Sequence, residues 1–415
     1  MAPHTAPRSI AEHAAAVLAL AGLAHPGTQR LPLADAFGRH LAAPATARFA
    51  VPPFDNAAMD GFLVHAADLA ALPATLPVAG DIPAGAEACL LPAGCAVRVM
   101  TGAPVPPGEG IVVVPVEQTD IPRGPVPLPE HVTIHDVHAG RDHIRWAGSN
   151  VAAGAQVAGP GECIDAGLLA ALVATGVREV DIVRTPSVAV LATGDELVAW
   201  PSEITGAQIP NSNMPMLAAI ARAAGAEVHA LHVPDGTGEF RAALDHACAA
   251  HNIVVTSGGV SAGAFDVVRE VLESGGTGDA WFGRVAQRPG GPQGLTTFRE
   301  TPVVCLPGNP VAAFVSAHLY LTPLIRAAAG ATAGLAYAER PRVTARAGET
   351  LPRPHHSATH VVPVRVDYAG DTPRAQAFSP AAPGSHMVAS LVGIDGLALV
   401  EASARESSDV PVLLI

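Results

Sequence analysis

The stretch Ser187-Val188-Ala189-Val190-Leu191-Ala192-Thr193-Gly194-Asp195-Glu196-Leu197 decides the fold of this chain. Its residues 188–192 form an apolar run of strand length, without the polar alternation of a half-exposed strand. They therefore suit a strand covered on both faces. Residues 213–224 then read as a helix, Glu227–Val233 as a strand ending at Pro234-Asp235-Gly236, and 239–250 as a second helix. Ile253–Thr256 runs into the glycine loop Ser257-Gly258-Gly259-Val260-Ser261-Ala262-Gly263, followed by a helix over 266–273. Val303–Leu306 leads to Pro307-Gly308-Asn309-Pro310 and a helix over 311–329. Strands alternating with helices predict right-handed βαβ crossovers and a doubly wound, mostly parallel α/β domain.

Around this regular segment the texture changes. Residues 1–27 read as one helix and 28–50 as a connector rich in Pro and Ala. Residues 51–139 are full of Pro and Gly, with short β-type runs at Val97–Met100 and Ile111–Val116. That pattern predicts small, irregular β structure. Residues 140–175 are again punctuated by glycine and end in the helical run Ala166–Thr175. Beyond residue 340 helix signals fade, and Val361–Val366 and Gly396–Val400 predict a small β domain. At ~100–200 residues per domain, 415 residues suggest two to four domains.

Composition narrows the chemistry. All 24 Lys+Arg residues are arginine, which excludes a P-loop lysine, a Schiff-base lysine and a Ser–Lys dyad. A formal net charge of −13 argues against general nucleic-acid or anionic-membrane binding. Any anionic substrate must be held by a few local arginines, backbone N–H groups or a metal. Cys89, Cys95, Cys163, Cys248 and Cys305 are odd in number and lack a Cys-x-x-Cys pair, so neither a disulfide framework nor a structural zinc site is expected. Cys305 lies in an apolar run and reads as a buried, inert thiol. The stretch Ala14–Ala24 is short and mostly alanine, and no apolar run of ~20 residues is expected anywhere in the chain. A soluble, cytoplasmic protein is expected.

In an open α/β sheet, ligands bind beyond the carboxyl ends of the strands. Here those ends carry Thr193-Gly194-Asp195-Glu196, Asp235-Gly236, Ser257–Gly263 with Asp266, and Pro307-Gly308-Asn309-Pro310. Glycines let backbone N–H groups approach an anion, and a following helix N-terminus favours negative charge. Glu196, Asp235 and Asp266 would repel a phosphate, a conflict that Mg²⁺ held between them and the phosphate oxygens resolves. Taken singly, Asp266 reads first as a helix cap, and Asp195 or Glu196 as an ordinary cap after a strand. The segments 54–61 and 100–106 read on their own as Asx-rich and Gly/Pro turns. His131, His135, His138 and His143, and likewise His355, His356 and His360, match no standard zinc spacing.

Taken in order, FDNAAMDG (54–61), MTGAPVP (100–106), TGDEL (193–197), QIPNSN (208–213), SGGVSAGAFD (257–266), RPGGP (288–292) and LPGNP (306–310) resemble the molybdopterin molybdenumtransferase family. That family comprises bacterial MoeA and the E domain of gephyrin and plant Cnx proteins. The resemblance spans about residue 8 to about residue 400. It implies insertion of molybdenum into molybdopterin, using adenylylated molybdopterin and molybdate as substrates, requiring Mg²⁺ and releasing AMP. It implies a homodimer of four-domain subunits: a connecting domain (28–50 with 140–175), a β-rich lid-like domain (51–139), an α/β domain (1–27 with 176–329) and a C-terminal barrel-like domain (330–415). Asp60 and Thr101 of one chain would complete the cleft of its partner. Glu196, Asp235 and Asp266 would be its catalytic and metal-site carboxylates. Thr193, Gly194, Asp195, Ser257, Gly258, Gly259, Ser261, Arg284, Arg288, Pro307, Gly308 and Asn309 would bind substrate. A molybdopterin adenylyltransferase and molybdoenzyme apoproteins are the further partners it suggests.

The chain departs from the family pattern where the family usually carries lysines. Those positions read Arg284, Arg288 and Gly291. Arginine can serve as an oxyanion donor with a planar fork, whereas glycine supplies no charge. Asn211 and Asn150 stand where acids are common, and Ala264 where a glutamate is common. Two readings follow: an insertase whose oxyanion pocket is built from arginine, and an impaired paralogue that binds the pterin nucleotide or acts as a scaffold. A third, an adenylyltransferase, would leave most of the chain without a purpose.

Overall fold

The computed structural model describes residues 6–138, 140–260, 267–275, 280–352, 358–378, 384–401 and 408–415. Its centre is a six-stranded sheet in the order Glu227–Val233, Ser187–Thr193, Ile253–Ser257, Thr301–Leu306, Pro292–Phe298, Trp281–Arg284. The first four strands are parallel, and Pro292–Phe298 runs antiparallel to both of its neighbours. The apolar runs bury both faces, as their lack of alternation requires. Val188, Val190, Ile253, Val255, Val304 and Leu306 face one core, with the helices Ile10–Leu18, Asn213–Ala223 and the run from Pro310 to Ala328. Ala189, Leu191, Val254, Val303 and Cys305 face the other, with Thr237–Ala250 and Val267–Gly275. Each fully buried Val, Leu or Ile contributes about 1.5–3 kcal/mol. Cys305 is fully buried and its thiol is pushed up to about 12 by desolvation, in keeping with an inert role.

The N-terminal helix is shorter than the helix expected over 1–27. It starts at a capping box, in which Ser9 Oγ accepts from Glu12 N–H at 3.1 Å and Glu12 Oε2 from Ser9 N–H at 2.7 Å. It ends at Leu18, and tight turns occupy residues 19–24. The apolar run Pro310–Ala328 is long enough to cross a membrane by length and composition, yet 78% of it is buried inside the protein. It is the central core helix, interrupted by a π-turn over Ala317–Leu321. Arg340 Nη1 reaches in to donate to His318 O at 2.7 Å, satisfying a carbonyl within that turn.

The strand Glu179–Val183 lies outside the α/β sheet, although its residues fall in the expected α/β segment 176–329. It pairs antiparallel with Thr28–Pro32 and packs Val180 and Ile182 on Leu33, Leu41, Ile164 and Leu172, the core of the connecting region. Similarly, Ile144–Arg145 pairs with Asn56–Ala57, and Ile144 joins the core of the 51–139 region rather than that of the connector. That region is built on a five-stranded sheet, Ile111–Pro115, Gly61–His65, Ala96–Val99, Ala74–Ile82, His131–Ile134. The C-terminal strands Thr359–Asp367, Arg374–Ala377, Arg342–Ala347, Asp409–Leu414 and Gly396–Val400 close into a small barrel, because the last pairs back onto the first. A further strand is appended to it: Gln287–Arg288 of the α/β domain runs parallel to Thr359–His360.

His13 is fully buried between Trp281 and Tyr320, with ring centroids at 4.9 and 4.6 Å, and neither ring nitrogen has a partner among the described residues. Burial lowers its pKa from 6.5 to about 3. The neutral ring therefore contributes stability that is complete above pH 6.5 and is lost as the pH falls toward 3, where the unfolded chain takes up a proton first. His13→Phe, which fills the same slot without titrating, should flatten the fall in stability between about pH 6.5 and pH 4. Urea denaturation of both proteins across that range measures it.

Candidate functional site

The parallel strands deliver their carboxyl-end loops to one edge of the sheet, where they line a cleft of about 1180 Å³. Thr193, Gly194 and Glu196 come from the first loop and Asp235 from the second. Ser257, Gly258 and Gly259 come from the third, and Pro307, Gly308 and Asn309 from the fourth. Asp195 is the exception: it does not line the cleft but cross-links two loops. Its N–H donates to Asp235 Oδ2 at 3.0 Å, while Asp235 N–H donates to Asp195 Oδ1 at 3.3 Å. Ser261 and Asp266 lie outside the described residues.

The glycine loop owes its shape to backbone freedom. Gly258 and Gly259 adopt φ of 95° and 67°, conformations that side chains disfavour. A Cβ at Gly308 would stand 3.4 Å from the Gly258 Cα, so the third and fourth loops touch backbone to backbone. Asn213, at the start of its helix, ties them together. Its Nδ2 donates to Ser257 Oγ at 2.9 Å and to Gly308 O at 2.6 Å. Asn211 Oδ1 accepts from Met214 N–H at 3.2 Å and so holds the same helix start. Asn211 Nδ2 and Asn213 Oδ1 are buried without a partner among the described residues, and both side chains belong to residues that line the cleft. Such orphaned atoms at a cleft wall suit a bound polar ligand.

The rest of the lining comes from the 288–292 motif and from a part of the chain that the motifs do not mark. Arg288 lines the cleft beside Glu349, Thr350, His360, Ser385 and His386, all from the C-terminal region. Arg284 does not line it; its Nη2 lies 3.3 Å from where a Cβ on Gly291 would be. The cation at residue 284 thus lies beside the position that lost one.

Asp60 and Thr101 also lie away from this cleft. The two N-terminal motifs are zipped together by backbone bonds from Ala57 to Ala103, Gly102 to Ala57 and Val105 to Asp55. Asp60 Oδ1 accepts from Thr101 N–H at 2.6 Å and from Thr101 Oγ1 at 2.8 Å. These two bonds hold its carboxyl below the usual aspartate range. Asp60 borders a second pocket of about 490 Å³, where Arg98 is paired with Asp81 at 2.7 Å.

Among the described residues no three His, Cys, Asp or Glu side chains converge as metal ligands. Glu196 and Asp235 supply two carboxylates to one cleft. That donor set suits Mg²⁺, which keeps several waters and is completed by substrate phosphate oxygens, rather than an all-protein cage.

Two family profiles match the chain. One, described as the MoeA N-terminal region (domain I and II), covers residues 8–176, and the other, described as a probable molybdopterin binding domain, covers 189–327. Molybdopterin molybdenumtransferase 2 of Mycobacterium tuberculosis is 40% identical over 333 residues, covering 78% of this chain and 80% of that protein. Molybdopterin molybdenumtransferase of Nostoc sp. is 34% identical over 319 residues, 74% and 71% of the two chains. The structure of the molybdopterin biosynthesis MoeA protein from Pyrococcus horikoshii superposes with a TM-score of 0.74 at 25% identity, over 99% of both chains. Fold, motifs and relatives agree, and the chain belongs to the molybdopterin molybdenumtransferase family.

Proposed function

We propose that this protein inserts molybdenum into molybdopterin, taking adenylylated molybdopterin and molybdate and releasing AMP. The observation that carries the reading is the make-up of one cleft. It brings backbone loops suited to phosphates, the carboxylates of Glu196 and Asp235, and Arg288 to the lining of a single cavity. The loops Ser257–Gly259 and Pro307–Asn309 would cradle the phosphate link through backbone N–H groups. Glu196 and Asp235 would hold Mg²⁺, which when bound neutralises phosphate charge during cleavage of that link. Arg288 would pin molybdate by charge-assisted hydrogen bonds from a planar fork. Asp60, kept ionised by Thr101, would act in the cleft of a second copy, since in its own chain it stands apart from the cleft. The enzyme is read as cytoplasmic, receiving its nucleotide from an adenylyltransferase and passing its product to molybdoenzyme apoproteins.

Three outcomes are expected. Purified protein given adenylylated molybdopterin, Mg²⁺ and molybdate should release AMP and form cofactor. Tight nucleotide binding without turnover would instead establish the paralogue reading. Arg288→Ala should raise the molybdate KM by about tenfold or more, the loss of one charge-assisted contact. Nucleotide affinity, measured by calorimetry, should be kept, and its loss would move Arg288 to the nucleotide end. Asp60→Ala and Asp235→Ala should each be inactive alone. Mixed and reassembled, they should recover about a quarter of wild-type activity, because half of randomly formed two-fold dimers carry one intact site. No recovery would contradict the shared cleft.

A further inference from the structure

Beneath the cleft wall that carries Arg288 lies a buried polar hub. Gln287, Gln293, Ser316 and Tyr320 are 3%, 0%, 0% and 1% exposed. Gln293 Nε2 donates to Ser316 Oγ at 2.6 Å and to Gly290 O at 2.8 Å. Gln287 Nε2 donates to Pro289 O at 3.0 Å and to Ser316 Oγ at 3.3 Å. Gln287 Oε1 accepts from the Tyr320 hydroxyl, and Tyr320 is braced edge-on by His13. Gly291 O, the next carbonyl along, accepts from Val285 N–H at 2.7 Å. Three successive carbonyls, at 289, 290 and 291, are therefore each fixed by a donor.

This geometry bears on Arg288 directly. Gln287 and Arg288 are consecutive in an extended strand, so their side chains point to opposite faces. Gln287 goes into the hub and Arg288 into the cleft. Gly290 turns at φ 85°, and a Cβ there would stand 2.9 Å from Gln287 Nε2 and 3.0 Å from Ser316 Oγ, so the turn is seated hard on the amides. An apolar plug of the same volume would fill the space but leave the Pro289 and Gly290 carbonyls without these donors. The hub also tolerates a buried atom, Gln293 Oε1, with no partner among the described residues. What amides supply and methylenes do not is a fixed direction for the carbonyls, and with it a fixed exit for Arg288.

We infer that Gln293, with Gln287 and Ser316, is a positioning device that sets the Arg288 guanidinium in the cleft and thereby the affinity for the tetrahedral oxyanion substrate. The inference rests on Arg288 being the molybdate contact. Gln293→Met keeps the volume and removes the donors; Ser316→Ala removes the shared acceptor with a smaller change in packing. In either folded variant the molybdate KM should rise by about tenfold, as a misplacement of the order of an ångström would produce. Nucleotide affinity should be unchanged. Combined with Arg288→Ala, neither should raise the molybdate KM further, because a positioning residue has no effect once the group it positions is gone. An unchanged molybdate KM in whichever variant folds would overturn the inference. So would an effect that simply multiplies with that of Arg288→Ala, which would mark general damage to the core. If Arg288→Ala itself leaves the molybdate KM unaltered, the reading of Arg288 fails first, and that outcome is visible without the hub variants.

Discussion

The sheet that is apolar on both faces is the constraint from which the rest follows. Val190 and Leu191 are neighbours in sequence and serve opposite cores, so neither face can be left to solvent and helices must cover both. Parallel strands joined by covering helices send every carboxyl end to the same edge. The loops there cannot be packed as strand or helix, and they collect backbone N–H groups, glycines and carboxylates in one place. The cleft is the geometric by-product of burying the core.

Legibility in the sequence tracks how local the signal is. The run 187–193 and its counterparts at 253–257 and 301–306 are visible because five to seven residues in a row with hardly a polar break must be buried on every side. The loops after them are visible through Gly, Asp and Pro at strand ends. The strand Thr28–Pro32 is not, because Thr-Gln-Arg-Leu-Pro shows no apolar alternation and its partner, Glu179–Val183, lies about 150 residues away. For the same reason nothing near residue 176 announces that Glu179–Val183 leaves the α/β segment. Gln287, Gln293 and Ser316 carry no signal at all. A buried glutamine looks like a surface glutamine until the fold shows what surrounds it. The part that Ser385 and His386 play in the cleft is equally silent, because they reach it only through contacts distant in the chain, such as Val311 N–H to Ser385 O at 3.1 Å.

The absence of lysine acquires a local meaning in this setting. A guanidinium is broader than an ammonium and needs space beside its stem. At residue 291 the glycine leaves that space, and the Arg284 side chain occupies it. The two departures from the family pattern are thus one steric arrangement: the larger cation at one site and the missing side chain at the other fit together. Arg288 needs no such accommodation, since it projects into the open cleft.

The barrel's appended strand has a mechanical consequence. A barrel that closes on itself leaves no free edge for other chains, and among the described residues the extra strand it accepts is Gln287–Arg288. Backbone bonding, including Thr359 N–H to Ala286 O at 3.0 Å, stitches that strand to the barrel. The two walls of the cleft are therefore sewn together along the seam beneath Arg288. They cannot part like jaws about that line without tearing the ladder. The seam therefore gives the cleft a fixed bottom, like that of a purse, rather than a hinge.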